Sequence, residues 1–305
     1  MKNLFLYFLT VAIWGSTWYA ITWQLNGIPA QVSVAYRFAL ATLILFVWCW
    51  LRRLRLRFSG REHGLLMLLG LTLFSSNYVL FYEAEKRLVS GSVAIIFSLL
   101  VVFNILNNWL LFGSKPDRHV IAGATLGLLG IVLTFWPDLS AMNSSSQNIR
   151  GILLSLAGTL TASFGNLVSV RLQKRQIPVV PANAFGMLYG TILLLTYAMF
   201  SGATFSFDTS VKYLGSLAYL AVFGSVIAFS SYLTLVGRIG PDRAAYMSIL
   251  FPIVALMISA VFEKYQLTPL SVLGVACILT GNGLVLLHKQ RISPEIRTPA
   301  LEAER

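Results

Sequence analysis

Charged side chains are scarce in this sequence. Lys, Arg, Asp and Glu together make up 11% of its 305 residues, whereas hydrophobic residues make up 57%. A soluble domain carries about 25% charged residues, so this chain cannot cover a water-facing surface of ordinary polarity. The composition therefore excludes a soluble globular protein, and we expect a lipid bilayer to be the main solvent.

Residue types that build metal, redox and catalytic sites are also few. The two cysteines, Cys49 and Cys277, lie far apart inside apolar runs and match no metal-binding or disulfide pattern. The three histidines fall near the ends of apolar runs, and neither His-Glu-x-x-His nor Gly-x-Ser-x-Gly occurs. We expect the cysteines to pack as small apolar residues, and we predict no cofactor, no metal ion and no catalytic residues.

The net charge of +12 has two possible causes. Proteins that bind nucleic acid cluster Lys and Arg on one soluble face. Here the basic residues lie in short segments between apolar runs, which is typical of membrane orientation signals. We therefore predict no nucleic-acid partner.

Ten apolar runs are each long enough to be a membrane helix, which needs about 20 residues. They cover residues 3–23, 31–51, 63–83, 89–112, 119–136, 151–171, 182–201, 213–236, 243–263 and 269–288. The first run contains Trp14, Trp18 and Trp23 and lacks a convincing cleavage site, which favours a retained span over a signal peptide. The charged tail, residues 291–305, contains two prolines and is predicted to be disordered.

The distribution of basic residues predicts the orientation of the chain. With the N-terminus in the cytoplasm, 17 Lys and Arg residues lie on the cytoplasmic side and five on the opposite side, while Arg37 lies within a span. The positive-inside rule then places both termini in the cytoplasm. We predict a multi-pass protein of the bacterial inner membrane.

The two halves of the chain resemble each other at an offset near 150 residues. Trp14-Gly15 corresponds to Phe164-Gly165, and Ile28-Pro29 corresponds to Ile177-Pro178. The pattern predicts an all-α fold of two five-helix units, residues 1–138 and 149–290. Because five is odd, the second unit begins on the opposite side of the membrane, so the repeats are inverted, as alternating-access transporters require.

These residues resemble a known family. Segment 13–21 (IWGSTWYAI), followed by Ile28-Pro29 and Arg37-Phe38, is similar to the opening of EamA-type proteins of the drug/metabolite transporter superfamily. A second group in the other half is also similar to that family: Pro252, Glu263 and Gly274. The resemblance covers residues 1–288 and implies ten helices in two EamA repeats that export or exchange metabolites such as amino acids.

One feature departs from the family pattern. The fourth helix of the first repeat usually contains a proline and ends near a glutamate, but Val101-Val102 and Gly113-Ser114 stand there instead. The resemblance therefore implies no role for such a glutamate in the first half.

Polar residues within the spans are candidates for a substrate site. Polar groups are costly in lipid unless they pair or line a cavity, and inverted-repeat transporters bind substrate near the midplane. Residues predicted at that depth are Trp14, Ser16, Thr17, Arg37, Asn77, Tyr78, Asn104, Asn166, Ser231, Tyr232 and Tyr246. The alternative is that such side chains bond across packed helices without contacting a ligand.

Arg37 is the one basic side chain predicted well inside a span. Glu83 and Glu85 end the third span on the side towards which Arg37 lies, so an Arg–Glu pair is predicted to gate the cavity there. Arg37 is also a candidate to bind a substrate carboxylate with its planar fork. A buried ion pair that only fixes helix packing is the competing interpretation.

We predict a transporter that exports or exchanges small metabolites, amino acids or related amphipathic compounds, by alternating access, acting as a monomer or homodimer. Because no acidic residue is predicted near the midplane, we expect exchange or facilitated export without a buried carboxylate relay. The alternatives are a channel or a non-transporting membrane scaffold. An intramembrane enzyme is less compatible, because no Asp or His is predicted near mid-depth.

Overall fold

The described chain is entirely helical. A computed structural model describes residues 2–25, 27–113, 118–136, 146–239 and 247–292, and all regular secondary structure within these ranges is α- or π-helix. The helices form ten rods: α1 Lys2–Thr22, α2 Ala30–Leu51, α3 Gly60–Glu85, α4 Ser90–Phe97 with Leu100–Phe112, α5 Arg118–Thr134, α6 Ser146–Lys174, α7 Val179–Phe200, α8 211–239, α9 Met247–Phe262 and α10 Pro269–Ile292. The predicted all-α class is confirmed.

Seven rods are long and apolar enough to cross a membrane. These are α1, α2, α3, α4, α6, α7 and α8. In the three others, the apolar helical stretch among the searched residues is shorter: Arg118–Thr134, Met247–Phe262 and Pro269–Val285. The structure therefore confirms a multi-span membrane protein, whereas the count of ten spans and the unit boundaries at 138 and 149 remain predictions. Beyond residue 292, the tail lies outside the described residues.

The packing of the rods follows the predicted duplication. Rods α1 to α5 correspond in order to α6 to α10. Rod α1 packs on α8 and α9, and its counterpart α6 packs on α3 and α4. Likewise, α2 contacts α7 and α8, while α7 contacts α2 and α3; α4 packs on α9, and α5 on α10. When each rod is replaced by its counterpart in the other repeat, every one of these contacts becomes another contact in the set or stays the same. A pseudo-two-fold axis requires this.

The interface between α5 and α10 is built on glycines. A Cβ atom added to Gly123 would lie 2.6 Å from the Gly281 carbonyl oxygen, and one added to Gly130 would lie 2.5 Å from that of Gly274. The backbones are in direct contact because neither side of the pair has a side chain. Glycines of the first repeat therefore pack against glycines of the second within one chain.

Rods α3 and α8 each contain a π-helical segment at a corresponding position. These segments are Thr72–Ser76 and Leu220–Ile227. Within the second, the Ser225 hydroxyl donates to the Leu220 carbonyl oxygen, five residues earlier, at 3.0 Å. Such wide turns displace side chains from the regular helical register and often occur at functional sites. Both segments lie next to the cavity described below.

Candidate functional site

A cavity of about 230 Å³ lies between the two repeats. Rods α1 to α4 of the first repeat and α6, α8 and α9 of the second contribute its walls. Eight of the eleven residues predicted for the site line it: Trp14, Thr17, Arg37, Asn77, Tyr78, Asn104, Asn166 and Tyr232. The fold thus brings together polar residues from six rods that are up to 218 positions apart in the sequence.

Three predicted residues are not among those that line the cavity. The Ser16 hydroxyl lies 2.7 Å from the Tyr219 hydroxyl and joins α1 to α8. Ser231 is buried next to Tyr232 without reaching the cavity wall. Tyr246 lies outside the described residues. Ser16 therefore fits the helix-packing alternative.

Aromatic rings form much of the cavity wall. The Trp14 ring packs against those of Phe229, Tyr232 and Phe251, with centroid distances of 5.4, 5.3 and 6.5 Å. Nearer the closed end, Trp18 packs against Phe81 at 5.3 Å and Phe97 at 5.4 Å. Most of these rings were not predicted for the site, because a Phe within an apolar span gives no signal that separates cavity from core. Such a wall suits the apolar part of an amphipathic solute.

Arg37 brings a buried positive charge to this apolar wall. The residue is 2% exposed, and its Nε donates to the Ser225 hydroxyl in the π segment at 3.3 Å. Its guanidinium lies 4.8 Å from the centroid of the Tyr78 ring, a cation–π contact. Its Nη1 is buried and has no hydrogen-bond partner among the described residues. A buried N–H group without a partner is costly, so Arg37 is available to bind an anionic group in the cavity.

Asn77 supplies an acceptor in the same cavity. It is 3% exposed, and its Oδ1 is buried without a hydrogen-bond partner among the residues described. Arg37 and Asn77 thus each line the cavity and each hold one buried, unsatisfied polar atom, a donor and an acceptor, behind its wall. A zwitterion, which has a carboxylate and an ammonium group, would satisfy both.

The cavity is closed at one end. Lining residues Ile21, Arg37 and Phe81 are buried there. At the other end, the lining residues are only half-buried: Asn104, Asn166, Tyr232 and Ser248. Solvent therefore reaches the cavity past the C-terminal halves of α4 and α6 and the first turn of α9.

The predicted gate residues lie beyond the closed end, but they do not pair as expected. Glu83 forms ion pairs with two residues close to it in sequence, Lys86 at 2.6 Å and Arg87 at 3.2 Å. Glu85 is buried, and no ion pair joins it to Arg37 in the described part of the chain. The gating role of Arg37, Glu83 and Glu85 remains a prediction.

A different acidic residue fastens the closed end. The Glu263 carboxylate accepts hydrogen bonds from the Ser90 backbone N–H, at 3.1 and 3.2 Å to its two oxygens, and from the hydroxyls of Ser90 and Ser259. The Ser259 hydroxyl oxygen also accepts from the Gly91 N–H at 3.1 Å. This Glu263 clasp ties the end of α9 to the start of α4, where a carboxylate complements the free N–H groups of the helix.

Comparison with known proteins supports the expected family. Residues 1–136 and 149–287 match the EamA-like transporter family. The chain belongs to this family. The two matched segments contain, apart from a few terminal residues, rods α1 to α5 and α6 to α10, so the resemblance seen in the sequence is confirmed. The protein is a membrane transporter, and its family implies a small-molecule substrate.

Named relatives extend over nearly the whole transporter. It is 28% identical over 284 residues to an Escherichia coli K12 protein named "Uncharacterized inner membrane transporter YedA", covering 92% of this chain and 90% of the relative. It is 23% identical over 295 residues to a "Probable amino-acid metabolite efflux pump" of the same organism, covering 92% and 93%. Protein PagO of Salmonella typhimurium is 24% identical over 286 residues, covering 93% and 92%.

A solved crystal structure shows the same architecture. It superimposes on the transporter with a TM-score of 0.67 at 16% identity, covering 95% of this chain and 98% of the other. At that identity, the similarity establishes the fold only.

Removing the carboxylate of the Glu263 clasp should destabilise the transporter. Glu263→Ala leaves the Ser90 N–H and two hydroxyls without their charged acceptor, and we expect a loss of about 2–3 kcal/mol, typical of hydrogen bonds to a charged group. The measurement is the thermal unfolding midpoint of the purified protein in detergent. Glu83→Ala is the control, because that side chain is partly exposed and pairs only within its own helix end. Equal midpoints for the two variants would contradict the clasp.

Proposed function

We propose that the protein is a bacterial inner-membrane carrier that exports or exchanges small amphipathic metabolites, most readily neutral amino acids with apolar or aromatic side chains, by alternating access. The observation that carries the proposal is the cavity between the repeats, where the unsatisfied Nη1 of Arg37 and the unsatisfied Oδ1 of Asn77 lie within a largely aromatic wall. Arg37 binds the carboxylate, Asn77 accepts from the ammonium group, and the aromatic rings contact the side chain.

The size of the cavity supports a small solute. Its volume of about 230 Å³ lies just below the roughly 300–1,000 Å³ usual for drug-sized ligands. The name of one relative, a probable amino-acid metabolite efflux pump, agrees with this substrate class. In such a site, six further lining residues contact the entering solute: Trp14, Thr17, Tyr78, Asn104, Asn166 and Tyr232.

The direction of the opening supports export. With both termini in the cytoplasm, as the distribution of basic residues predicts, α4 and α6 run inward and α9 begins at the inner face. The half-buried end of the cavity, at Asn104, Asn166 and Ser248, then faces the cytoplasm, and the Glu263 clasp closes the periplasmic side. This is the arrangement of a carrier that loads from the cytoplasm.

Counterflow in liposomes tests the proposal. Purified protein is reconstituted into vesicles preloaded with one unlabelled amino acid, and uptake of the same labelled compound is followed for L-phenylalanine, L-leucine, L-lysine and L-glutamate. We expect saturable counterflow for the first two and little for the charged pair, since the cavity offers no second charge to match theirs. Absence of counterflow for all four would contradict the assignment, and ion currents through an open pore would support a channel instead.

A further inference from the structure

The segment that joins α2 to α3 carries a row of exposed arginines. Residues 54–59 have no regular secondary structure, and the exposure of their side chains alternates along the chain. Three arginines of the segment are exposed, and we call them the arginine row: Arg53, Arg55 and Arg57. Three apolar residues that alternate with them are half-buried and pack against the hydrophobic core: Leu54, Leu56 and Phe58. The core thus anchors the segment and holds the arginine row at the surface.

The arginine row has no acidic partner in the described part of the chain. No ion pair there joins any of its three side chains to a carboxylate. The next acidic residue, Glu62, accepts from the Ser59 N–H at 2.6 Å in the capping box of α3. Arg55 is held by neutral groups: its Nε donates to the Arg57 carbonyl oxygen at 3.0 Å, and its guanidinium lies 6.0 Å from the centroid of the Phe58 ring. The row is therefore available to an external anion.

The end of α6 adds positive charge next to this segment. A Cβ atom added to Gly158 would lie 2.8 Å from the Phe81 ring, and one added to Gly165 would lie 2.8 Å from the Leu73 Cβ. Rods α6 and α3 are therefore antiparallel, and the end of α6 lies beside the first turns of α3. Three basic side chains at that end are exposed: Arg171, Lys174 and Arg175. The surface around the arginine row is therefore strongly positive.

Exposed apolar side chains adjoin the arginine row. The last turn of α2 presents Trp50, which is 75% exposed, and Leu51, which is 63% exposed. One turn earlier, the Trp48 ring lies 4.9 Å from the guanidinium of Arg52. Tryptophan near the end of a membrane helix lies at the level of the lipid headgroups. The arginine row thus lies at that level too, beside a surface suited to acyl chains.

From this arrangement we propose that the arginine row binds the phosphate of an anionic phospholipid, with phosphatidylglycerol as the simplest example, whose acyl chains lie along the end of α2 at Trp50 and Leu51. Guanidinium groups bind phosphate oxygens at two points, and basic clusters just beyond a membrane helix attract anionic lipids. A free phosphate would match the charge alone, whereas a phospholipid matches both the charge and the exposed apolar surface. The proposal does not depend on which solute is transported.

Native mass spectrometry of the purified protein tests lipid binding. The protein in detergent is titrated with dioleoylphosphatidylglycerol or with dioleoylphosphatidylethanolamine, which has the same acyl chains and no net charge. We expect the wild-type protein to prefer the anionic lipid. Replacing all three arginines of the row with glutamine should weaken binding of that lipid by at least about 30-fold and leave binding of the other unchanged.

A matched control removes the same number of charges elsewhere. Three exposed basic residues lie at other surface positions: Arg150, Lys212 and Lys264. Replacing these three with glutamine should leave the preference for the anionic lipid at its wild-type value. The control separates binding at the arginine row from a general effect of net charge.

Arg53→Gly separates lipid binding from folding. Arg53 has a φ of 52° and ends α2 in a Schellman motif, in which its N–H donates to the Trp50 carbonyl oxygen at 3.1 Å and the Leu54 N–H to that of Cys49 at 2.9 Å. Glycine adopts this conformation without strain. The variant should therefore unfold, without added lipid, at the wild-type temperature or above it, while its affinity for the anionic lipid falls about fivefold.

Three results would overturn the proposal. One is equal binding of the two lipids by the wild-type protein, and another is a wild-type preference that persists in the triple glutamine variant. The third is thermal stabilisation by inorganic phosphate equal to that by the anionic lipid, which would indicate a site for a free anion. If the triple variant does not fold, Arg53→Gly decides, and an unchanged affinity of that variant would overturn the proposal.

Discussion

Replacing Arg37 with methionine should abolish most binding and transport of carboxylate-bearing solutes. Methionine fills a similar volume but removes the charge and the unsatisfied Nη1 donor of this lining residue. Removing one partner of a buried, hydrogen-bonded charge pair costs 2–5 kcal/mol, so affinity should fall by at least about 30-fold. The measurement is the concentration of L-phenylalanine that half-saturates counterflow, together with ligand-induced stabilisation of the purified protein.

Two further variants separate binding from packing. Arg37→Lys keeps the charge but loses the planar fork that bonds a carboxylate at two points, so it should recover only part of the affinity. Arg52→Met removes an exposed arginine just after the end of the same helix and should leave transport unchanged. If Arg37→Met unfolds the protein but folded Arg37→Lys binds with wild-type affinity, Arg37 holds helices together and the carboxylate assignment is wrong.

Adding one methyl group at Gly274 should disrupt the fold. Its Cβ would lie 2.3 Å from the Thr134 hydroxyl oxygen and 2.5 Å from both the Gly130 carbonyl oxygen and the Thr134 backbone nitrogen. Two of these three atoms are backbone, which cannot rotate away, so α5 and α10 must separate along their whole contact. We expect Gly274→Ala to cost about 3 kcal/mol, the upper part of the range for overpacking. Thermal unfolding and size-exclusion profiles in detergent measure the loss.

The same substitution elsewhere on α10 provides the control. A Cβ at Gly283 would have its nearest neighbour, Ile249 Cδ1, at 4.0 Å. Gly283→Ala should therefore be neutral or slightly stabilising, because alanine favours helix over glycine by up to about 1 kcal/mol. Similar unfolding midpoints for the two variants would show that the two rods are not held by backbone contact.

The fold was largely predictable because its signals are long and redundant. Each of the seven longer spans is a run of some twenty apolar residues, and no water-soluble arrangement satisfies so many. The repeat is visible in the packing as well: Gly123 and Gly130 of the first repeat contact Gly281 and Gly274 of the second at the α5–α10 interface.

The site was predictable where a polar residue interrupts an apolar run. Arg37 and Asn77 stand out for that reason, and both line the cavity. Phe81, Phe97 and Phe251 line it too, but an aromatic residue in a span has the same pattern in a wall or in a core. The depth of Ser16 along its helix was also insufficient to predict its role. The direction of the side chain decides what it contacts, and the Ser16 hydroxyl contacts Tyr219 on α8 rather than the cavity.

The sequence could not predict which acidic side chains are buried at the closed end of the cavity. Glu83 and Glu85 are two residues apart near the end of one helix, so they point in different directions: one is partly exposed and paired, the other buried and unpaired. The wide π turns in α3 and α8 likewise have no sequence signature, although one of them places Ser225 against Arg37.

Labelling from each side of the membrane tests most directly whether the cavity is the transport site. In a variant whose cysteines at 49 and 277 are replaced by alanine, Asn104→Cys introduces one thiol at the half-buried end of the cavity. An impermeant maleimide should label it in inside-out vesicles but not in intact cells, L-phenylalanine should protect it, and Glu263→Ala should increase labelling from outside. Labelling that is equal from both sides in every variant, or unaffected by the amino acid, would contradict a cavity that opens to one side at a time.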